Sequence, residues 1–151
     1  MSAQLGLSNV WLASGDLAGA RGEADAFLES ALSTADPHLQ ALAWEMKTRI
    51  AIAAEEWDAA ADHLHDALSI VESFAVPVAA WQVHATAWDL YRHAKNDVAA
   101  ERNRASAEAH ILVIANSFTS DDPLRRLFLS APPVRRVLDK KPTPALAHGR
   151  I

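Results

Sequence analysis

Apolar side chains in this chain return every three or four residues, and the whole pattern returns about 40 residues later. Leu7, Val10, Trp11 and Ser14 keep the i, i+3, i+4, i+7 spacing of one helical face and predict a helix over 3–14. Ala20, Ala24, Phe27, Leu28 and Ala31 predict a second over 17–34. A third, over 37–54, carries Ala43, Met46 and Ile50 in one stripe with Trp44 and Ala51 beside it. A fourth, over 57–74, buries Ala60, Leu64, Ala67, Leu68 and Val71. Trp81, His84, Trp88 and Tyr91 mark a fifth over 77–95, and a sixth over 98–117 turns Ala105, Ala109, Leu112 and Val113 inward.

The breaks between these segments have a chemical basis. Gly15 tolerates the left-handed geometry that ends a helix, and Asp16 can cap the next one. Asp36-Pro37 and Asp122-Pro123 each read as an N-cap followed by a first helical proline, and Pro77 opens a helix in the same way. After Asp122-Pro123, Leu124, Leu127 and Phe128 share a face; Pro132-Pro133 then interrupts, and Val134, Val137 and Leu138 add a last turn or two.

The 40-residue recurrence sets the architecture. Gly15, Asp16, Leu17 and Ala20 share a frame with Glu55, Glu56, Trp57 and Ala60. Val10, Ile50 and Leu90 align, as do Trp11, Ala51 and Tyr91, Leu28 and Leu68, and Ala31 and Val71. Units that cannot bury their apolar faces alone must stack on their neighbours. The expectation is an all-α, right-handed solenoid of about three helical hairpins, with units over 3–35, 37–75 and 77–118. A capping piece over 122–138 closes a domain spanning 1–138, and 139–151, without periodicity and holding Pro142, Pro144 and Gly149, reads as a flexible tail. The third unit departs from the pattern: Lys95 or Asn96 stands where Gly15 stood, and the second half of 98–117 fits better when moved by one residue. That predicts an atypical terminal unit.

Composition agrees with an all-helical chain, since alanine dominates and only 5 of 151 residues are glycine. The absence of cysteine excludes disulfides, thiolate zinc sites and cysteine nucleophiles. No apolar run reaches 18 residues, so no membrane helix is expected, and a cytoplasmic setting is the default. Charge is uneven. Residues 1–95 hold 13 acidic and 5 basic side chains, whereas 96–151 hold 6 and 9. The basic end, with Arg125, Arg126, Arg135, Arg136, Lys140 and Lys141, lacks interleaved aromatics and reads as a solvated surface rather than a nucleic-acid site.

Candidate chemistry is thin. His63 and His65 are two apart, so on a helix they point to opposite sides and cannot grip one metal ion. No serine sits in a nucleophile elbow, no glycine-rich loop offers to hold phosphate, and Glu55-Glu56 reads as a capping or solvated pair. No catalytic residue, metal or cofactor is expected. The five tryptophans read chiefly as packing between stacked helices, with an aromatic groove as the functional alternative.

Trp11, Gly15, Asp16, Leu17 and Ala20, with Trp57 and Ala60 in the second unit, resemble the tetratricopeptide repeat, although the spacing is longer than that family's and Glu55-Glu56 replaces Gly-Asp. A HEAT-type array also tolerates this spacing; the Gly-Asp turn and the second-helix alanine favour the tetratricopeptide reading. The run Ile114–Phe118, then Asp122–Arg125 and Phe128-Leu129, is similar to the close of repeat regions in large bacterial signalling proteins. The resemblance implies a non-catalytic protein–protein interaction scaffold or regulatory module. Its first helices would line a concave face that reads a peptide or a neighbouring domain. On this chain those positions are Leu5, Asn9 and Leu12, then Glu45, Arg49 and Ile52, then Ala85, Asp89 and Arg92. Arg49 and Arg92 would clamp a carboxylate; alternatively, Glu45–Arg49 and Asp89–Arg92 are ion pairs within their helices. With no capping helix ahead of 3–14, apolar surface such as Leu5 stays open, so self-association through that end is a second expected mode. The competing function is a helical-bundle enzyme or small-ligand binder with a site near His84, Trp88 and His93.

Overall fold

The computed structural model describes residues 16–141, and every element among them is a helix. In chain order these are α1 (Leu17–Leu32), α2 (Pro37–Ala53), α3 (Trp57–Ser73), α4 (Pro77–His93), α5 (Asp97–Asn116), α6 (Pro123–Ser130) and α7 (Pro132–Leu138). The expected helix over 3–14, the Gly15 turn and the stretch from Pro142 lie outside the described residues.

The helices begin where short polar side chains can satisfy free amides. Asp16 accepts from the Gly19 amide at 2.9 Å, Asp36 from His38 at 2.9 Å, Asn96 from Ala99 at 3.2 Å and Asp122 from Leu124 at 2.9 Å. Glu56 holds the N-cap position of α3 but makes no cap bond; its carboxylate meets Arg21 at 2.8 Å instead. The capping half of the Glu55-Glu56 expectation therefore fails.

The ends of α2 and α4 repeat one another. Glu55 and Lys95, 40 residues apart, both take left-handed backbone, with φ of 58° and 60°. In each turn the following amide reaches back across the end: Glu56 to the Ala51 carbonyl at 2.8 Å, Asn96 to Tyr91 at 2.9 Å. The frame puts Gly15 at the equivalent place in the first unit. A non-glycine residue there costs about 1 kcal/mol, so Glu55→Gly and Lys95→Gly should each stabilise the fold, by about 0.5–1 kcal/mol. Denaturant unfolding checks this, and a destabilised variant would mean that the side chain contributes more than its backbone strain costs.

Packing follows the chain. α1 lies on α2, α2 on α3, and α4 on both α2 and α3; α5 pairs with α4, and α6 and α7 close over α5. The buried positions of the second helices recur at a spacing of 40 without a shift. Ala20, Ala60 and Ala100 are buried, as are Ala24, Leu64 and Arg104, then Phe27, Ala67 and Ala107, then Ala31, Val71 and Ile111. The one-residue shift expected in the third unit is therefore absent.

The inward face expected for 98–117 is also wrong. Ala105 and Ala109 are exposed, Leu112 is 43% exposed and Val113 59%. The buried stripe of α5 is Ala100, Arg104, Ala107, Ile111 and Ala115. Arg104 explains the misreading: a charged residue fills a core slot that Leu64 fills one unit earlier, while small apolar residues face out. Similarly, α6 buries none of its residues, with Leu124 and Leu127 open to solvent and Phe128 and Leu129 packed inward.

Two main cores result. One joins α1 to α4 around Phe27, Ala60, Leu64 and Val83; the other joins α4, α5 and α7 around Trp81, Trp88, Ile111, Val134 and Val137.

Candidate functional site

Of the expected concave-face residues, Glu45 and Arg49 on α2 form a partly buried polar cluster with Thr86 on α4. Glu45 is 3% exposed. Its Oε1 accepts from the Thr86 hydroxyl at 2.9 Å, which ties α2 to α4, and Arg49 Nε stands 2.7 Å from the same oxygen. The intrahelical Glu45–Arg49 pair is thus present. Both contacts fall on one carboxylate oxygen, and Oε2 is buried with no hydrogen-bond partner among the described residues. Arg92 Nε is likewise buried and unsatisfied. Orphaned buried polar atoms are uncommon and ask for an explanation.

Asp89 is engaged from a distance. Arg136, on α7 and 47 residues away, donates to both carboxylate oxygens at 3.1 and 2.9 Å. Its guanidinium also lies 5.2 Å from the ring centre of Trp88. Nothing in the local sequence signals this pairing. Ala85 is buried in the second core, and Ile52 is half-buried against the first, so neither lines an open face. Leu5, Asn9 and Leu12 lie outside the described residues. The sequence-derived set therefore resolves into Glu45 with Arg49 and Thr86, Asp89 with Arg136, and Arg92 separately near the end of α4.

The residues of the alternative site engage three different elements. His84 Nδ1 meets Asn103 Oδ1 on α5 at 2.9 Å; Trp88 holds Arg136 of α7; His93 stacks on Trp57 of α3 with ring centres 3.6 Å apart. Asn103 donates its amide to the Ala99 carbonyl, so its oxygen faces His84, which donates. The His110 ring lies parallel to that of His84 at 5.6 Å. Burial holds His84 below the ordinary imidazole value of 6.5, partly opposed by the Asn103 bond and reinforced by His110. His63, stacked on Trp44, is lowered for the same first reason, with Lys47 adding to it. The folded chain thus keeps both rings neutral where the unfolded chain protonates them. Stability should be full above about pH 6.5 and decline as pH falls below it. Urea unfolding at pH 7.5 and 5.5 checks the sign, and His84→Gln should flatten part of the slope.

A small cleft of ≈130 Å³ lies where α1, α2 and α3 meet, lined by Arg21, Asp25, Lys47, Ile50, Glu56 and His63 among others. Two ion pairs cross it, Arg21–Glu56 at 2.8 Å and Lys47–Asp25 at 2.6 Å, each with at least one well-exposed member. Such pairs contribute about 0–1 kcal/mol and chiefly set how α1 sits on its neighbours. Among the described residues, no group of three or more His, Asp or Glu side chains is placed to hold a metal ion, and no helix is long and apolar enough to cross a membrane. No protein-family model, curated protein or solved structure matches the chain.

Proposed function

We propose that this chain is an interaction scaffold of the tetratricopeptide type: a right-handed stack of helical hairpins that binds a peptide segment or a neighbouring domain along the shared face of α2 and α4. The observation that carries the reading is the unbroken 40-residue recurrence of buried positions, from Ala20 to Ala60 to Ala100 and from Ala31 to Val71 to Ile111. Repeats of this kind bury a continuous core and leave long faces for recognition. The polar Glu45–Thr86–Arg49 cluster that ties α2 to α4, with the half-buried Arg92 on α4, supports the choice of face. The Arg92 guanidinium would meet a carboxylate of the peptide. The similarity of Ile114–Phe118 and Asp122–Arg125 to the close of repeat regions in bacterial signalling proteins favours a regulatory role.

The test is selection of short linear peptides from a displayed library against the wild-type chain, with Arg92→Ala as the counter-target. A peptide family that binds wild type and loses about tenfold or more in affinity on Arg92→Ala supports the reading. Failure of any family to prefer wild type over the variant would remove it.

A further inference from the structure

We infer that Trp88 and Asp89 form an arginine-reading subsite, filled in cis by Arg136, and that its partner in trans is an amphipathic helical segment presenting an arginine. The inference rests on the scaffold reading but concerns a different end of the same face. A guanidinium is recognised best by a carboxylate that takes both its donors and an aromatic face that takes its charge. Both are present: Asp89 accepts at 3.1 and 2.9 Å, and Trp88 lies 5.2 Å beneath. The Asp89 side chain is only 13% exposed, so the pairing takes place largely out of water.

The subsite is not a general property of the fold. One unit earlier, the frame puts Thr48 and Arg49 where Trp88 and Asp89 stand. There the core is closed by α4 itself, whereas here the closing element is slight. α6 buries no residue, α7 buries only Val134 and Val137, and the N-cap of α7, Ala131, supplies no side-chain hydrogen bond. Besides those two valines, α7 is held by Leu138 at the edge of the same core, by Arg104, which donates to the Val137 carbonyl at 3.2 Å, and by Arg136, while Phe128 and Leu129 anchor α6 beside it. A segment with so few anchors opens at a small fraction of the global unfolding free energy. Beneath it lie Trp81, Trp88 and Ile111, an apolar floor that an incoming amphipathic helix would cover as α7 does. α7 is thus the template for its own competitor: an arginine flanked by β-branched residues, as in Val134, Arg136 and Val137.

A fluorescent peptide covering residues 123–141 tests this on the full chain. It should bind the Arg136→Ala chain at least about tenfold more tightly than wild type, where the resident strap competes. Adding Asp89→Asn to Arg136→Ala should abolish the gain, and a peptide bearing Arg136→Lys should bind more weakly. Hydrogen exchange provides a second readout: in the milder Arg136→Lys chain, α7 amides should exchange faster while those of α2 and α4 stay protected. Equal affinity for wild type and Arg136→Ala, binding indifferent to Asp89, or no binding to any of the three overturns the inference. None of these outcomes bears on peptides selected through Arg92, so this subsite and the scaffold reading fail separately.

Discussion

Arg104→Ala is expected to cost the fold about 3 kcal/mol, while Arg104→Leu costs roughly half as much. Arg104 is 4% exposed in a slot that Ala24 and Leu64 fill in the other units. It is tolerated there because its charge is matched on one side and its stem packs on the other. Glu101 receives both Nε and one terminal nitrogen at 2.8–3.1 Å, and Glu108 receives the other at 2.7 Å. The Glu101 bond is the main reason that the guanidinium holds its proton more tightly than usual and that Glu101 ionises more readily than an ordinary carboxylate. Alanine would leave a void beside Val137 and remove the side-chain donor to the Val137 carbonyl, which keeps its bond from the Lys140 amide. Leucine fills the void, as Leu64 does, and loses only the ion pairs and the side-chain bond to that carbonyl. Both carboxylates are partly exposed and return to water at little cost. Denaturant unfolding separates the two variants. If leucine proves as damaging as alanine, the arginine's bonds, rather than its volume, hold the slot.

Phe27→Ala should be the most damaging single truncation in the first core, at about 3–5 kcal/mol. Phe27 is fully buried and is among the largest side chains so enclosed. The frame puts Ala67 and Ala107 in the same position, both also fully buried. One frame position thus holds a ring in the first unit and a methyl in the next two. α2 contributes Ala41, Leu42 and Ala43 to this core, and truncating Phe27 removes its largest fully buried side chain. The reciprocal change, Ala67→Phe, should overpack α3 against its neighbours and cost at least about 1–3 kcal/mol. Tm measured on both variants checks the pair. A mild effect of Phe27→Ala would mean that the first unit repacks freely and that its frame is loosely specified.

The fold was most legible in the sequence where local chemistry decides it. Asp16, Asp36 and Asp122 cap the helices they were expected to cap, and the proline-led starts hold. The apolar stripe of α3, with Ala60, Leu64, Ala67 and Val71, is buried as its spacing predicts. α5 defeated the same logic. Hydrophobic periodicity finds the apolar face, and α5 has two, one outward through Ala105, Ala109 and Leu112 and one inward interrupted by Arg104. Only the 40-residue frame, applied without adjustment, selects the correct one.

The site was legible to the extent that it is local. Glu45 and Arg49 are four apart on one helix, and their pairing follows from helix geometry. Arg136 meeting Asp89, Trp44 stacking on His63 and Trp57 on His93 depend on how whole helices come together, and side-chain type alone does not specify such partners. The lack of a hydrogen-bond partner at Glu45 Oε2 and Arg92 Nε among the described residues is a feature of packing that no sequence pattern records.

Recognition is expected to run along the shared face of α2 and α4. Amide chemical-shift mapping of a library-selected peptide on the labelled chain tests it most directly. Shifts should concentrate at Glu45, Arg49, Thr86 and Arg92, with the outer faces of α3 and α5 unmoved. Shifts centred on Val98, Leu112 and Val113 instead would place recognition on the opposite side of the helices and contradict it.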